Sequence, residues 1–403
     1  MHNVICIIQN RAVLLRRIYK FSAMNPFVIM GQIPSEYFCD RETETKRIVR
    51  EIVGQSANIL LLSQRRLGKT SLISHCFAQK EIADSFYTFY FDILHTSSFQ
   101  EFTYEFGKQV FEQLATKGRK TLASLVQAIK SVQPKFGIDP LTRMPTFALE
   151  LGSITQPEYT LSEIFSFLEK ADKPCVVAID EFQRIARYPE KNIEALLLGK
   201  IQHLGNTHFI FAGSQRHILS EMFNSYNQPF YNSTSSVTLD AIRPDIYADF
   251  AVRLFSEYDK RIDASLISRL YALLDGNTFC LQKILHIAFD NTAQNQYCTV
   301  DILHDAINEV LADNDRTYRE SLARMSTNQK AVLYAIAIDR VAKQITGTDF
   351  LRRHQLGSAS SVQAAVRILL ENDWITTSEK TYSVSDKFFE LWLRANSGYP
   401  SVV

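Results

Sequence analysis

The sequence predicts an α/β fold, a parallel sheet with helices on both faces, followed by a helical segment and a small mixed tail. Two features predict the sheet. Apolar runs of strand length (Ile59-Leu60-Leu61-Leu62, Val176-Val177-Ala178-Ile179 and His208 to Ala212) alternate with stretches of helical period. Strands buried on both faces read as such runs, and alternation with helices makes neighbouring strands parallel. A third feature separates the rest of the chain. From Ala241 to Met325 the pattern is wholly helical, and beyond Ser326 three short helical stretches precede two strand-like ones.

A chain of 403 residues suggests two or three domains, and 46% hydrophobic with 22% charged residues is ordinary for a globular protein. Formal net charge is +1, so no global field announces nucleic acid or an anionic membrane. The 6 cysteines lie far apart without a C-x-x-C pair, which favours reduced thiols and a cytoplasmic setting over a disulfide frame or a zinc site. No apolar run approaches membrane-spanning length, so no membrane association is expected. The expected divisions are 1–24, a disordered or mis-started tail; 25–240, the sheet-bearing core; 241–325, a helical lid; and 326–403, the terminal domain. In the tail, the apolar patch Val4 to Ile8 precedes Arg11, Arg16, Arg17 and Lys20, the reverse of a signal peptide.

The core is organised around Ala57 to Phe77. The first strand breaks into Ser63-Gln64-Arg65-Arg66-Leu67-Gly68-Lys69-Thr70 and resumes as a helix from Ser71. Strand, glycine-bearing turn, Lys-Thr, helix is the layout of a phosphate-binding loop. Ser63 stands where that pattern usually has its first glycine, which is tolerable if its φ is negative. Residues Ser63 to Ser71 would wrap the phosphates with backbone N–H groups and the helix N-terminus. Lys69 would reach the β- and γ-phosphates of ATP, and the Thr70 hydroxyl would ligate Mg²⁺.

The partner motif is Val176-Val177-Ala178-Ile179-Asp180-Glu181, a buried-strand run ending in two acids. Asp180 would hold the metal, and Glu181 is placed to take a proton from an attacking water. At the tip of the following strand, Gly213-Ser214-Gln215-Arg216 offers Ser214 to sense the γ-phosphate. Arg216 could meet phosphate or a neighbouring subunit; the plainer reading is a surface residue opening the next helix. Phe38-Cys39-Asp40-Arg41 precedes an amphipathic helix. Phe38 and Arg41 could lie against the adenine, or the box could simply start that helix.

Further elements are expected as a strand at Phe86 to Leu94; helices at Phe99 to Leu114 and Thr121 to Val132; an exposed hairpin within Phe136 to Leu151; and helices at Thr160 to Ala171 and Asn192 to Leu204. The lid should hold helices at Asp245 to Phe255, Ala264 to Leu274, Phe279 to Asn291, Val300 to Leu311 and Asp315 to Ala323. Gln329 to Ile338, Gly347 to Arg353 and Ser358 to Glu371 followed by a hairpin of Trp374 to Thr377 with Tyr382 to Val384 make a winged helix-turn-helix.

Taken together, NPFVIMGQIPSEYFCDRETE, SQRRLGKTSL, VVAIDEFQRI, FIFAGSQRHIL and SASSVQAAVRILLENDWI resemble the archaeal-type ATPase family, P-loop proteins of the AAA+/STAND kind related to origin-recognition ATPases. The resemblance runs from Asn25 to Ala395. It implies sheet order 5-1-4-3-2, counting strands along the chain, a helical lid and a C-terminal winged helix. By motif position it assigns Lys69 and Thr70 to phosphate and Mg²⁺, Asp180 to Mg²⁺, Glu181 to the water and Ser214 to γ-phosphate sensing. Two departures stand out: Ser63 at the first glycine position, and Gly276-Asn277-Thr278, which lacks the proline and arginine that related lids often carry there.

Three functions fit these residues. The first is an ATPase switch in which ATP and ADP reposition the lid and winged helix. The second is a protein-recruiting switch. The third is a DNA-binding regulator that uses nucleotide only as ligand. Oligomerisation, with a neighbouring subunit completing the site, is compatible with each.

Overall fold

The computed structural model describes residues 25–31, 33–54, 57–117, 135–138, 145–148, 154–378 and 380–397. The expected tail, 1–24, and the expected helix Thr121 to Val132 lie outside them. The chain forms two compact units, one of residues 41–240 and one joining the segment up to Asp40 with residues 241–403.

The first unit is built on a five-stranded parallel sheet: β1 (Asn58–Ser63), β2 (Tyr87–Asp92), β3 (Cys175–Asp180), β4 (Thr207–Gly213) and β5 (Thr234–Leu239). Their spatial order is β2-β3-β4-β1-β5, the same as 5-1-4-3-2 read from the other edge. Every residue of β3 and β4 is buried, as a central parallel strand requires. One face of the sheet is filled by phenylalanines. Phe91, Phe102 and Phe106 meet at 5.1–6.4 Å between ring centroids, and Phe182, Phe211, Phe223 and Phe230 at 4.6–5.8 Å. On the edge strand β2, Tyr87, Phe89 and Phe91 point into this core, so Tyr90 and Asp92 point the other way. The register sets Asp92 opposite Asp180 across β2 and β3. An antiparallel hairpin, Lys135–Ile138 with Pro145–Ala148, occurs where the sequence placed one.

In the second unit, residues 25–40 pack with the helices rather than with the sheet they precede in sequence. Phe27 is fully buried, with its ring 5.5–6.4 Å from those of Phe250, Phe255 and Phe289. Asn25 donates to the His286 carbonyl at 2.8 Å, and the Tyr37 and Tyr258 hydroxyls share a 2.7 Å hydrogen bond. Aromatic burial explains why the boundary falls at Asp40 rather than Met24.

The lid helices are Pro244–Ser256, Ala264–Leu273, Thr278–Asn291 and Val300–Ala323. The last is a single helix of 24 residues, where the sequence suggested two. Asp313 and Asn314 are weak helix formers, yet no glycine or proline interrupts the segment. Asn314 returns its amide to the Val310 carbonyl, and the pairs Arg319–Asp315 and Arg316–Glu320 staple the next turns.

The winged helix follows as Thr327–Asp339, Thr348–Arg353 and Ala359–Glu371, with Ser326 and Ser358 capping the first and third helices. Its wing, Ile375–Ser378 with Thr381–Val384, gains a third strand from Ala342–Lys343. A closing helix, Lys387–Ala395, was not anticipated. Asp386 caps it, and it inserts Phe388, Phe389, Leu391, Trp392 and Leu393 into the core.

This unit has one continuous hydrophobic core, from Phe27 to Leu393. A polar cluster also crosses it. Arg340 donates to the Ala272 and Leu273 carbonyls that end a lid helix, and also pairs with Asp275. Lys387 pairs with Asp275 and with the fully buried Glu390. Burial pushes the Glu390 carboxyl up from its ordinary value, while Lys387 and Arg340 pull it back. Lid and winged helix are therefore one packed body.

Candidate nucleotide-binding site

The loop between β1 and the helix Lys69–Phe77 is shaped by two left-handed residues. Gly68 has φ 88°, and a Cβ there would touch nothing within 4 Å. Its backbone conformation, not crowding by the protein, calls for glycine. Arg66 has φ 66°, an unfavourable conformation for a side-chain-bearing residue by about 1–2 kcal/mol. Ser63 is not among the residues of positive φ; it is buried and donates its hydroxyl to the Gln64 carbonyl. Gln64, Arg65 and Arg66 are exposed and Leu67 is buried. No side chain caps the helix at Gly68, so the amides of Lys69, Thr70 and Ser71 open its N-terminus.

Lys69 and Thr70 meet the two acids at the end of β3. The Lys69 ammonium, only 8% exposed, pairs with Asp180 Oδ1 and lies 3.2 Å from Glu181 Oε1. The Thr70 hydroxyl donates to Asp180 Oδ2 at 3.0 Å. Asp180 has two further donors, the Glu181 amide to Oδ1 at 2.8 Å and the Tyr90 hydroxyl to Oδ2 at 3.0 Å. Burial, then the Asp180 charge, push the Tyr90 phenol well above its ordinary value, so it stays a donor. Asp92, at the exposed end of β2, is also raised, by partial desolvation first and then by the charges of Asp180 and Glu181.

Glu181 sits on a left-handed turn, φ 56°, that swings its side chain back toward the tip of β4. There Oε2 accepts from Ser214 Oγ at 2.9 Å and from Gln183 Nε2 at 2.5 Å. Arg65 Nε reaches Ser214 Oγ at 3.5 Å. The structure thus gathers Arg65, Lys69, Thr70, Asp180, Glu181 and Ser214 at one place.

Two of the other candidates point elsewhere. Arg216 pairs with Asp240 at 2.8 Å and reaches the Leu239 carbonyl. Arg41 is buried and donates to the Asp240 carbonyl at 2.7 Å and the Leu67 carbonyl at 3.4 Å, a brace beneath the loop. Phe38 belongs to the other unit. Sequence reasoning missed Tyr90 and Gln183. The alternation of Tyr87, Phe89 and Phe91 was the available signal for Tyr90, because it turns Tyr90 to the polar face.

A family profile described as an ATPase domain predominantly from Archaea matches residues 38–284. The chain belongs to this family. A probable winged helix domain matches residues 316–395. Among solved structures similar to this ATPase-family chain, the Walker-type ATPase PABY2304 of Pyrococcus abyssi is 19% identical, with a TM-score of 0.64 over 92% of this chain and 99% of that one. The ORC2 protein of Aeropyrum pernix, solved as ADPNP–ADP complexes, is 12% identical, with a TM-score of 0.55 over 93% and 98%. At such identities the likeness is one of fold. No curated protein matches the sequence.

The donor set suits a small hard cation. The Thr70 hydroxyl and the Asp180 carboxylate supply adjacent oxygens, and Mg²⁺ at a phosphate site needs only one or two protein ligands besides phosphate and water. No cluster of three or more His, Cys, Asp or Glu fit for a metal occurs among the described residues. Among those residues, no helix is long and apolar enough to cross a membrane.

Proposed function

We propose that this protein binds ATP with Mg²⁺ and hydrolyses it, and that nucleotide state is coupled to the winged helix. The observation that carries this reading is the convergence of Lys69, Thr70, Asp180 and Glu181 at an uncapped helix N-terminus. Backbone amides around Gly68 would cradle the β-phosphate, and Lys69 would turn from the acids to the β- and γ-phosphates. Thr70 and Asp180 would hold Mg²⁺, which when bound neutralises charge on the phosphates. Glu181 would accept a proton from the attacking water, and Ser214 would donate to the γ-phosphate. The ADPNP–ADP complexes of the Aeropyrum pernix ORC2 protein, which shares the fold, support nucleotide as the ligand. The continuous core of lid and winged helix supports the coupling, because a shift of the lid helices carries the winged helix with it.

Purified protein should release phosphate from ATP in the presence of Mg²⁺, at a rate of order 0.01–10 per second, and stop when Mg²⁺ is chelated. No phosphate release under any Mg²⁺ concentration would overturn the hydrolytic part of the reading.

For the winged helix, a protein partner is favoured over DNA. The face of Ala359–Glu371 turned to solvent carries Ala359, Ser360, Gln363, Ala364, Arg367 and Ile368. Three of the nearby cations are paired with acids: Arg352 with Asp349, Arg353 with Asp339 and Arg367 with Glu371. A DNA-reading helix works chiefly through unanswered positive charge against phosphate. Fluorescent duplexes titrated at low ionic strength should show only weak association. Binding whose logarithm falls steeply with the logarithm of salt concentration, and which Arg367→Ala weakens, would reverse the preference.

A further inference from the structure

Three donors converge on the Glu181 carboxylate: Lys69, Ser214 and Gln183. In the reaction proposed above, the first two are needed by phosphate. Gln183 is different. It is 2% exposed, on the turn Phe182–Arg187, and its Nε2 donates to Glu181 Oε2. Its Oε1 has no partner among the described residues. A buried carbonyl left unpaired is unfavourable by about 1–3 kcal/mol. The amide cannot relieve this by flipping, because Oε1 would then face the carboxylate.

Gly213, the last residue of β4, shows how the amide is accommodated. A Cβ at that position would overlap Gln183 Oε1 and crowd a Leu219 methyl. Gly213 does not have positive φ. Its requirement for glycine is one of space, and the space is taken by Gln183.

We propose that Gln183 is a positioning residue for Glu181, seated by Gly213. When Lys69 and Ser214 turn to the phosphates, Gln183 keeps its hold on Oε2 and leaves Oε1 to face the water. The water oxygen then bonds to the γ-phosphorus, the bond from that phosphorus to the β–γ bridging oxygen breaks, and the water's proton passes to Oε1. ADP and inorganic phosphate leave. The proposal rests on the reading of Glu181 as the base.

The test compares Gln183→Met, which keeps length but loses the donor, with Gly213→Ala, which displaces the same amide by steric overlap. Each is measured for single-turnover ATP hydrolysis, ATP affinity and thermal midpoint, and Gln183→Met is repeated in a Glu181→Gln background. Gln183→Met should slow hydrolysis about tenfold or more with ATP affinity changed less than about twofold, since misaligned reacting groups lower rate rather than binding. Gly213→Ala should do the same, and gives the answer if Gln183→Met does not fold. In the Glu181→Gln background Gln183→Met should have no further effect. Equal slowing in both backgrounds, a parallel loss of ATP affinity, or no slowing at all would overturn the proposal. If Glu181→Gln itself leaves hydrolysis intact, the base assignment fails first. If Glu181→Gln slows hydrolysis but Gln183→Met does not, the fault lies with Gln183 alone.

Discussion

Lys69→Ala is expected to weaken ATP binding at least about a hundredfold and, independently, to destabilise the protein. The binding loss follows from the role of the ammonium. Two charge-assisted hydrogen bonds to phosphate oxygens amount to about 3–6 kcal/mol, so affinity should fall at least about a hundredfold. The stability loss follows from the ion pairs of Lys69. Lys69 lies between Asp180 and Glu181, whose side chains are 3% and 14% exposed. Removing it leaves two adjacent carboxylates without their shared cation, at a cost of about 3 kcal/mol near neutral pH. The midpoint for the unit 41–240 should fall by about 6–12 °C.

Calorimetry of the variant and the wild type, with ATP titration alongside, checks both parts. Unchanged affinity with an unchanged midpoint would show that Lys69 contacts neither phosphate nor the acids.

The parts of this site that could be read in the sequence are the parts made by local pattern. Ile59 to Thr70 carries strand, turn and helix start in one stretch, and Val176 to Glu181 carries a strand and both acids. Tyr90 could not be read so directly, because its bond to Asp180 depends on the parallel pairing of β2 with β3. That register is a tertiary fact. Gln183 was hidden for another reason. Its side chain reaches back only because Glu181 takes a left-handed conformation, which glutamate rarely adopts and no propensity predicts.

At the level of the fold, the strand order came from resemblance and the strand positions from apolar runs. The errors fell where local signals were weak or were overruled by packing. Ala312-Asp313-Asn314 looked like a break, but flanking ion pairs and the absence of glycine or proline carry the helix through. No element is expected from the sequence at Lys387–Ala395, although Asp386 and the run of apolar residues after it are a cap and a core-facing helix. Phe27 pulls residues 25–40 toward aromatic partners more than 200 positions away, which no window along the chain contains.

Glu181→Gln tests the chemistry rather than the binding, and its two expected effects have opposite directions. Turnover should fall by about a hundredfold or more, because an amide of the same shape cannot accept the proton from water. ATP affinity should rise. Lys69 is held by Glu181 as well as Asp180, and ATP must draw it away. Glutamine leaves Lys69 less strongly held and removes a negative charge from beside the triphosphate. Ser214 and Gln183 can still donate to the amide oxygen, so the turn at 181 keeps its shape. The variant should therefore accumulate as an ATP complex, seen as retained unhydrolysed nucleotide after rapid gel filtration with Mg²⁺. Wild-type turnover in Glu181→Gln would exclude it as the base. Slow turnover with weakened ATP binding would instead mean that Glu181 supports the loop more than it serves the water.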